Sequence, residues 1–450
     1  MKLLYNTRMK SRFLFSFFAG FLVTACQVSS DSTGKQEVSP STTEITYPQA
    51  EYDRARIVLM HEPGEEMMLG TLHPDAALFK SYLDADSAKV EHQNYQQLLR
   101  NQGVEVKTLK EMLLTGCVDE NYHWIEGSAT DSLRKLAAHS ITLTIEGDLN
   151  PAEVEAYKQQ MLKQYTPNEM VRILLLQPEI TLKKTPINTG VEASYQLNPL
   201  MNMFFMRDQM ISTAKGLVIG KMNSSQRRRE CDLVEFALQR IGKQPIYRIQ
   251  GDDAFLEGGD FIPMRDYAMI GCGLRTTPAA IQQLMDHDLL GKDTLVVVND
   301  AWKSQIQMHL DTYCNVIDED LFTMCNNRVV AKPGDKDFLT VDVYARKGNE
   351  AYQKVIEGQS FLEFLAQRGI DIIPILSEDE EHFGNNFICL QGREIVMVAG
   401  QSEALQQQLK AKGVKVHWAP LYNLTCGYGA AHCMTQMIGR SAVNNRTNLN

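Results

Sequence analysis

Short apolar runs set between glycine turns recur along this chain, and no other feature restricts its fold as much. Gly216-Leu217-Val218-Ile219-Gly220, Tyr267-Ala268-Met269-Ile270-Gly271, Thr294-Leu295-Val296-Val297-Val298 and Glu394-Ile395-Val396-Met397-Val398 have the length and β-branched content of buried strands. Residues 235–241 and 402–410 read as helices between them. Strands alternating with helices predict an α/β protein. A length of 450 residues with 44% hydrophobic content gives ample material for a core, as two or three ordinary domains or one large unit.

The chain's ends differ from its body. A basic stretch from Lys2 to Arg12 precedes an apolar run, Phe13 to Val23, that is too short to span a bilayer and has the charge order of a secretory signal. It ends in Leu22-Val23-Thr24-Ala25-Cys26, similar to a bacterial lipobox, which implies export with Cys26 lipidated as the first mature residue. Gln27 rather than Asp favours the outer membrane, on the periplasmic side. We therefore expect a signal peptide over 1–25, a flexible Ser/Thr-rich tether over 26–46, a catalytic domain over 47–440 and a polar tail over 441–450. Residues 128–170 turn charged, leucine-containing and helical, with Asn150-Pro151-Ala152-Glu153 as a helix start. The formal net charge of −10 argues against a nucleic-acid partner and favours cationic solutes. Beyond Cys26, eight cysteines lie at irregular spacing without a C-x-x-C pair, which fits neither a disulfide framework nor a zinc site.

Four short motifs carry candidate chemistry. Cys433 follows Gly427-Tyr428-Gly429-Ala430-Ala431-His432, small residues that let backbone approach a ligand and allow positive φ. His309-Leu310-Asp311 alternates polar and apolar residues and reads as strand, which puts imidazole and carboxylate on one face. That pair suits either a core histidine with its partner or an acid-base pair. Glu257-Gly258-Gly259-Asp260 reads as a surface turn or as a turn crowding a pocket. Asp208 follows the apolar, strand-like Asn202-Met203-Phe204-Phe205-Met206-Arg207, so its charge needs Arg207 or a cationic ligand. Carboxylates that hold a cation, a thiolate that attacks it and an imidazole that moves protons suit a guanidinium carbon. These candidates sit at the strand opening each unit, with Gly384-Asn385-Asn386-Phe387 as a possible fifth, and repeated units presenting one end to a common axis would build a central pocket.

At these motifs, and at His61-Glu62-Pro63-Gly64-Glu65-Glu66, the chain resembles the arginine deiminase branch of the guanidine-modifying superfamily, from about residue 51 to about residue 440. The resemblance implies a five-bladed pseudo-symmetric α/β propeller of ββαβ modules, with 128–170 part of a helical insert. It implies Cys433 as nucleophile, His309 as acid and base, Glu257 as a substrate-binding proton carrier, and Asp208 and Asp311 as a guanidinium clamp. Asn202, Phe205 and Asp260 become substrate contacts, and Arg227 and Arg275 reach the substrate's α-carboxylate. Many relatives carry an arginine in the loop before the nucleophile, where this chain has Tyr428-Gly429-Ala430-Ala431. The expected activity is hydrolysis of arginine or a close relative to a ureido product and ammonia, without a metal or organic cofactor. An amidinotransferase and a non-catalytic binding lipoprotein are the rival readings. A homo-oligomer is a further possibility.

Overall fold

The computed structural model describes residues 45–442. The leader, Cys26, most of the tether and the tail beyond residue 442 lie outside the described residues.

Five three-stranded units, four of them separate sheets and one part of a five-stranded sheet, share one pattern, in which the first strand runs antiparallel to the second and the second parallel to the third. A helix connects the second strand to the third, as a parallel pair requires. The first unit holds Met210–Ser212, Leu217–Ile219 and Tyr247–Arg248 with helix Arg228–Arg240. The second holds Phe261–Pro263, Ala268–Cys272 and Thr294–Asn299 with helix Pro278–Asp286. In the third, Cys314–Asp318 and Leu321–Cys325 pair with Asp371–Ile375. Its connection also sends out a hairpin, Thr340–Ala345 and Gln353–Ser360, that extends the second unit's sheet. The fourth holds Ile388–Gln391, Glu394–Val398 and Lys415–Ala419 with helix Glu403–Ala411. The fifth joins the chain's two ends: Gln436–Ser441 pairs with Arg54–Met60, which pairs with Glu105–Thr108 after helix Ala85–Asn101.

The α/β expectation holds, and the four apolar runs form the middle or third strands of their units. Those strands are packed on both faces, which is why they read as continuous apolar runs. Ile395, Val396 and Met397 are fully buried, as are Leu217, Val218 and Ile219. Each such side chain contributes about 1.5–3 kcal/mol by leaving water.

Residues 128–170 are not purely helical. Helices Ser128–Ser140, Pro151–Leu162 and Pro167–Leu176 form there, but strand Thr142–Glu146 lies among them and pairs with Pro178–Lys184, itself paired with Val191–Leu197. The helix start at residue 150 is as expected: the Asn150 side chain accepts the Ala152 N–H and Pro151 occupies the first turn. At the ends, Thr46 exchanges backbone hydrogen bonds with Arg440, and Ser441 is buried as the last residue of its strand, so the polar tail starts later than 441.

Candidate active site

The candidate residues precede the first strand of each unit rather than lying on it. Asp208 sits two residues before its strand, in a run of turns, because the apolar side chains from Met203 to Met206 fill different parts of the core. Glu257 precedes a single 3-10 turn, Gly258–Asp260. His309 is the N-cap of a four-residue helix, Leu310–Tyr313, not part of a strand. The imidazole and the Asp311 carboxylate therefore serve different partners. Asn386 and Cys433 likewise precede the first strands of the fourth and fifth units. Turns leave side chains free to converge, whereas ladder positions alternate faces.

Packing fixes the glycines. A Cβ on Gly259 would stand 2.8 Å from Cγ and Nδ1 of His309, so the imidazole lies directly against this backbone. A Cβ on Gly427 would stand 2.8 Å from Cζ of Phe205, and one on Gly429 2.9 Å from Cβ of Cys433. The expected positive φ falls not on these glycines but on Tyr428, at 66°.

Cys433 is 4% exposed. Asn386 holds its loop: the side-chain oxygen accepts N–H groups from Ala430 at 2.9 Å and Cys433 at 3.1 Å, and the amide nitrogen lies 3.1 Å from Sγ. Burial, then the charges of Asp311 and Asp208, raise the thiol well above its usual range. The sulfur lies 3.8 Å from Asp311 Oδ2. His432 Nδ1 approaches that same oxygen at 2.6 Å, while its Nε2 faces Glu51 at 3.6 Å. Glu51 in turn accepts from Arg440 at 2.6 Å. His432 and Glu51 were missed as site residues in the sequence; adjacency to Cys433 was the one available signal for His432, and Glu51 had none.

On the opposite side, His309 Nε2 pairs with Glu257 Oε2 at 2.8 Å, and its Nδ1 lies 3.8 Å from Asp208 Oδ1. Burial disfavours the imidazolium, but Asp208, Glu257 and Asp260 outweigh it and push His309 up to about 9. Burial likewise opposes the Glu257 carboxylate and is outweighed by His309 and Arg275, which hold it at about 2. Asp208, Glu257 and His309 form the one group among the described residues with ligand atoms close enough, within 4.8 Å, to hold a cation.

Three assignments change. Asp208 is neutralised by Arg227, at 2.8 Å, and not by Arg207, whose Nε donates to the His432 carbonyl at 3.3 Å. Arg227 also donates to Glu230 at 3.0 and 2.9 Å, so each of its guanidinium nitrogens already has a partner. Asp260, like Glu257 and Asp311, lies behind the residues that line the cavity; its Oδ1 accepts the Leu310 N–H at 3.0 Å, bracing the His309 turn, and burial pushes its carboxyl up to about 7.

Asn202, Phe205, Asp208, Arg227, Arg275, His309 and Cys433 line one small cavity, with Gln305, Met308 and Tyr428 at its rim. Asn202 is itself fixed by donating to the Ala77 carbonyl at 2.8 Å. Its free volume is about 20 Å³, room for about one water. Among the buried polar atoms without a hydrogen-bond partner are Asp208 Oδ1, Asp311 Oδ1 and Arg275 Nε, with Asp260 Oδ2 in the turn beside His309. Arg275 otherwise donates to neutral Gln305 at 2.9 Å and stands 3.9 Å from Glu257. Unsatisfied buried groups are costly, so two acceptors and one cationic donor are prepared for a ligand.

Comparison with known proteins points to one family. Two curated relatives are arginine deiminases: one from Staphylococcus haemolyticus, 25% identical over 88% of this chain and 98% of its own length, and one from Bacillus cereus, 26% identical over the same shares. Among solved structures, the N-terminal domain of ArgZ, a cyanobacterial arginine dihydrolase, superposes with a TM-score of 0.50 at 12% identity, covering 85% of this chain and 97% of that one. Unliganded AgrE superposes with a TM-score of 0.50 at 14% identity, over 85% of this chain and 39% of that one. Residues 75–440 match the arginine deiminase family, and the chain belongs to that family.

Proposed function

We propose that this protein is an exported arginine deiminase, hydrolysing the guanidinium group of arginine to citrulline and ammonia through a covalent Cys433 intermediate. The observation that carries this reading is the pair of unpartnered carboxylate oxygens, on Asp208 and Asp311, beside a buried thiol. An incoming guanidinium would satisfy both oxygens through paired charge-assisted hydrogen bonds. It would also cancel the charges that hold the Cys433 proton on, so the thiol loses that proton to solvent as substrate binds.

The thiolate then attacks the guanidinium carbon, forming a C–S bond. His309, an imidazolium at neutral pH, gives its proton to the departing nitrogen, and ammonia leaves. In the second half, neutral His309 takes a proton from water as the oxygen adds to the thiouronium carbon. The C–S bond breaks and the remaining hydroxyl proton passes to the departing sulfur, releasing the ureido product and restoring the resting thiol. Asp208, Asp311 and Glu257 stabilise charge in a water-poor cavity, where such interactions are strongest. Room for about one water means that Tyr428, Gln305 and Met308 must yield to admit substrate.

Arg275 Nε has no hydrogen-bond partner, whereas every guanidinium nitrogen of Arg227 has one. Arg275 thus carries recognition of the α-carboxylate, and arginine is preferred over agmatine, which lacks that group. Ammonia release from arginine, agmatine, methylated arginines and an arginyl peptide tests the assignment. Citrulline and ammonia formed from arginine alone would exclude an obligatory amidinotransferase. Cys433→Ser should cut turnover by roughly 10³-fold or more while keeping binding; activity within tenfold of the unmodified enzyme would refute covalent catalysis.

The five ββαβ units support a pseudo-fivefold propeller, with a catalytic domain over 47–440 and an insert around 128–170. The leader supports lipidation at Cys26, a flexible tether and an outer-membrane anchor. Cys26→Ala should then release the protein from membranes with unchanged catalytic constants; a variant that still requires detergent would count against the anchor.

A further inference from the structure

The three-stranded sheet formed by Thr142–Glu146, Pro178–Lys184 and Val191–Leu197 stands apart from the five repeated units, and it is amphipathic. Its register places Leu143 beside Ile180 and Ile145 beside Leu182. Tyr195 lies opposite Ile180, Ala193 opposite Leu182 and Leu197 opposite Pro178. Directly opposed residues share a face, so one face is apolar except for Lys184 opposite Val191 at its end, while threonines, Glu179, Lys183, Glu192 and Gln196 occupy the other. Leu143 and Ile180 pack on the core, but the last strand overhangs it. All seven residues of that strand are exposed, with Tyr195 at 71% and Leu197 at 42%.

This strand is also an open edge, and among the described residues no strand pairs with its outer side. Its pairing with Pro178–Lys184 runs through all seven residues without a bulge. It contains no lysine, proline or glycine. Exposed edges are normally blunted by such devices. The longest edge strand among the described residues, Gln353–Ser360, carries Lys354, Gly358 at a φ of 64° and two register shifts. The contrast marks the 191–197 edge as one meant to be covered.

We propose that it is covered by the same strand of a second copy, paired antiparallel about a two-fold axis at Ser194. The hairpin fixes the geometry. Thr185 N–H donates to the Gly190 carbonyl at 3.0 Å, so by antiparallel alternation Val191, Ala193, Tyr195 and Leu197 turn their backbone groups outward. Centring on Ser194 sets Ala193 against Tyr195 and Val191 against Leu197, each a pair of outward-facing residues. Glu192 meets Gln196, so no like charges face each other. The two-fold axis puts both cores on the same side of the six-stranded sheet, and the overhanging side chains fill the seam between them. An isologous contact of this kind closes and cannot propagate. Specific interfaces bury roughly 800 Å² per partner, more than a single strand offers, so the apolar seam is part of the contact.

Sedimentation velocity of the full chain at micromolar concentration tests this, with a dimer expected. Ala193→Pro removes an N–H that points away from the neighbouring strand, so the fold and kcat/KM stay unchanged while dimer dissociation strengthens by about tenfold or more. Ser194→Cys places two thiols across a non-hydrogen-bonded pair, about 4.5 Å apart at Cα, and should cross-link under mild oxidation. Glu192→Cys, ~14 Å from its own copy, should not. A monomeric unmodified chain, a dimer indifferent to Ala193→Pro, or absence of the Ser194→Cys cross-link would each overturn the proposal. So would a monomer that binds phosphatidylcholine vesicles through Tyr195, since the occupant would then be lipid.

Discussion

Cys433 is a poor nucleophile in the resting site, and its surroundings explain why. Burial and the Asp311 and Asp208 carboxylates all favour the thiol, and only Asn386 and backbone groups oppose them. A neutral alkylating agent should therefore label Cys433 slowly at neutral pH, and the rate should keep rising past pH 9, since only the thiolate reacts. Asp311→Asn removes one of the opposing charges and should move the inflection to lower pH. An inflection near or below the usual thiol value of 9 in the unmodified protein would contradict this account. His309 has the opposite electrostatics: the carboxylates around it keep the proton on to about pH 9, which readies it to protonate a leaving amine.

At the scale of the element, the Glu257-Gly258-Gly259-Asp260 turn works as one piece. Glu257 points at the imidazole, Gly259 makes room for its ring, and Asp260 holds the helix that starts behind it. Gly259→Ala would push a methyl group against a ring that has no space to retreat. Misplacing a catalytic group by about 1 Å costs on the order of 10²-fold in rate. We expect kcat to fall by that order while KM changes less than tenfold and the protein remains folded by circular dichroism. Near-normal kcat would mean that the imidazole is not confined as the structure has it. Arg328 shows a similar logic one layer out. It is buried over Tyr313 and Trp302 and bonded to Asp300 and Gln307, and so pins the loop that carries Gln305 and Met308 to the cavity rim.

Across the whole molecule, the first and last of the described strands must pair to complete the site. Cys433 precedes the last strand, which pairs with the first, and Arg440 of that last strand donates to Glu51 and to the Asp53 and Cys389 carbonyls. Arg440→Met leaves the Glu51 carboxylate buried without its cation and should cost about 3–5 kcal/mol. Burial raises Glu51, but Arg440 and His432 outweigh it and hold its carboxyl at about 2, below its ordinary 4.5. This contribution is complete above pH 4.5 and is lost as pH falls through 2. Thermal unfolding followed between pH 7 and pH 3 should show a less steep acid loss in the variant. Equal acid sensitivity in both proteins would mean that the Glu51 pair does not hold the ends together.

Residue type and order carried the chemistry. A thiol after small residues, an imidazole and carboxylates in short motifs, and apolar runs between glycines pointed to an α/β fold and a guanidinium carbon, and the family resemblance supplied the residue roles, because nucleophiles, cation holders and buried strands each demand particular side chains. Local periodicity misled where the chain changes direction. His309-Leu310-Asp311 alternates like a strand but begins a short helix, because its partners, Glu257 and His432, come from units distant in sequence. The run before Asp208 looked like a strand for the same reason. The partner of Asp208 was equally invisible: Arg207 is adjacent in sequence, yet Arg227, on a helix start, reaches the carboxylate. Ion pairs, the place of His432 behind Asp311 and the overhanging edge at 191–197 depend on which distant surfaces meet, and only tertiary packing decides that.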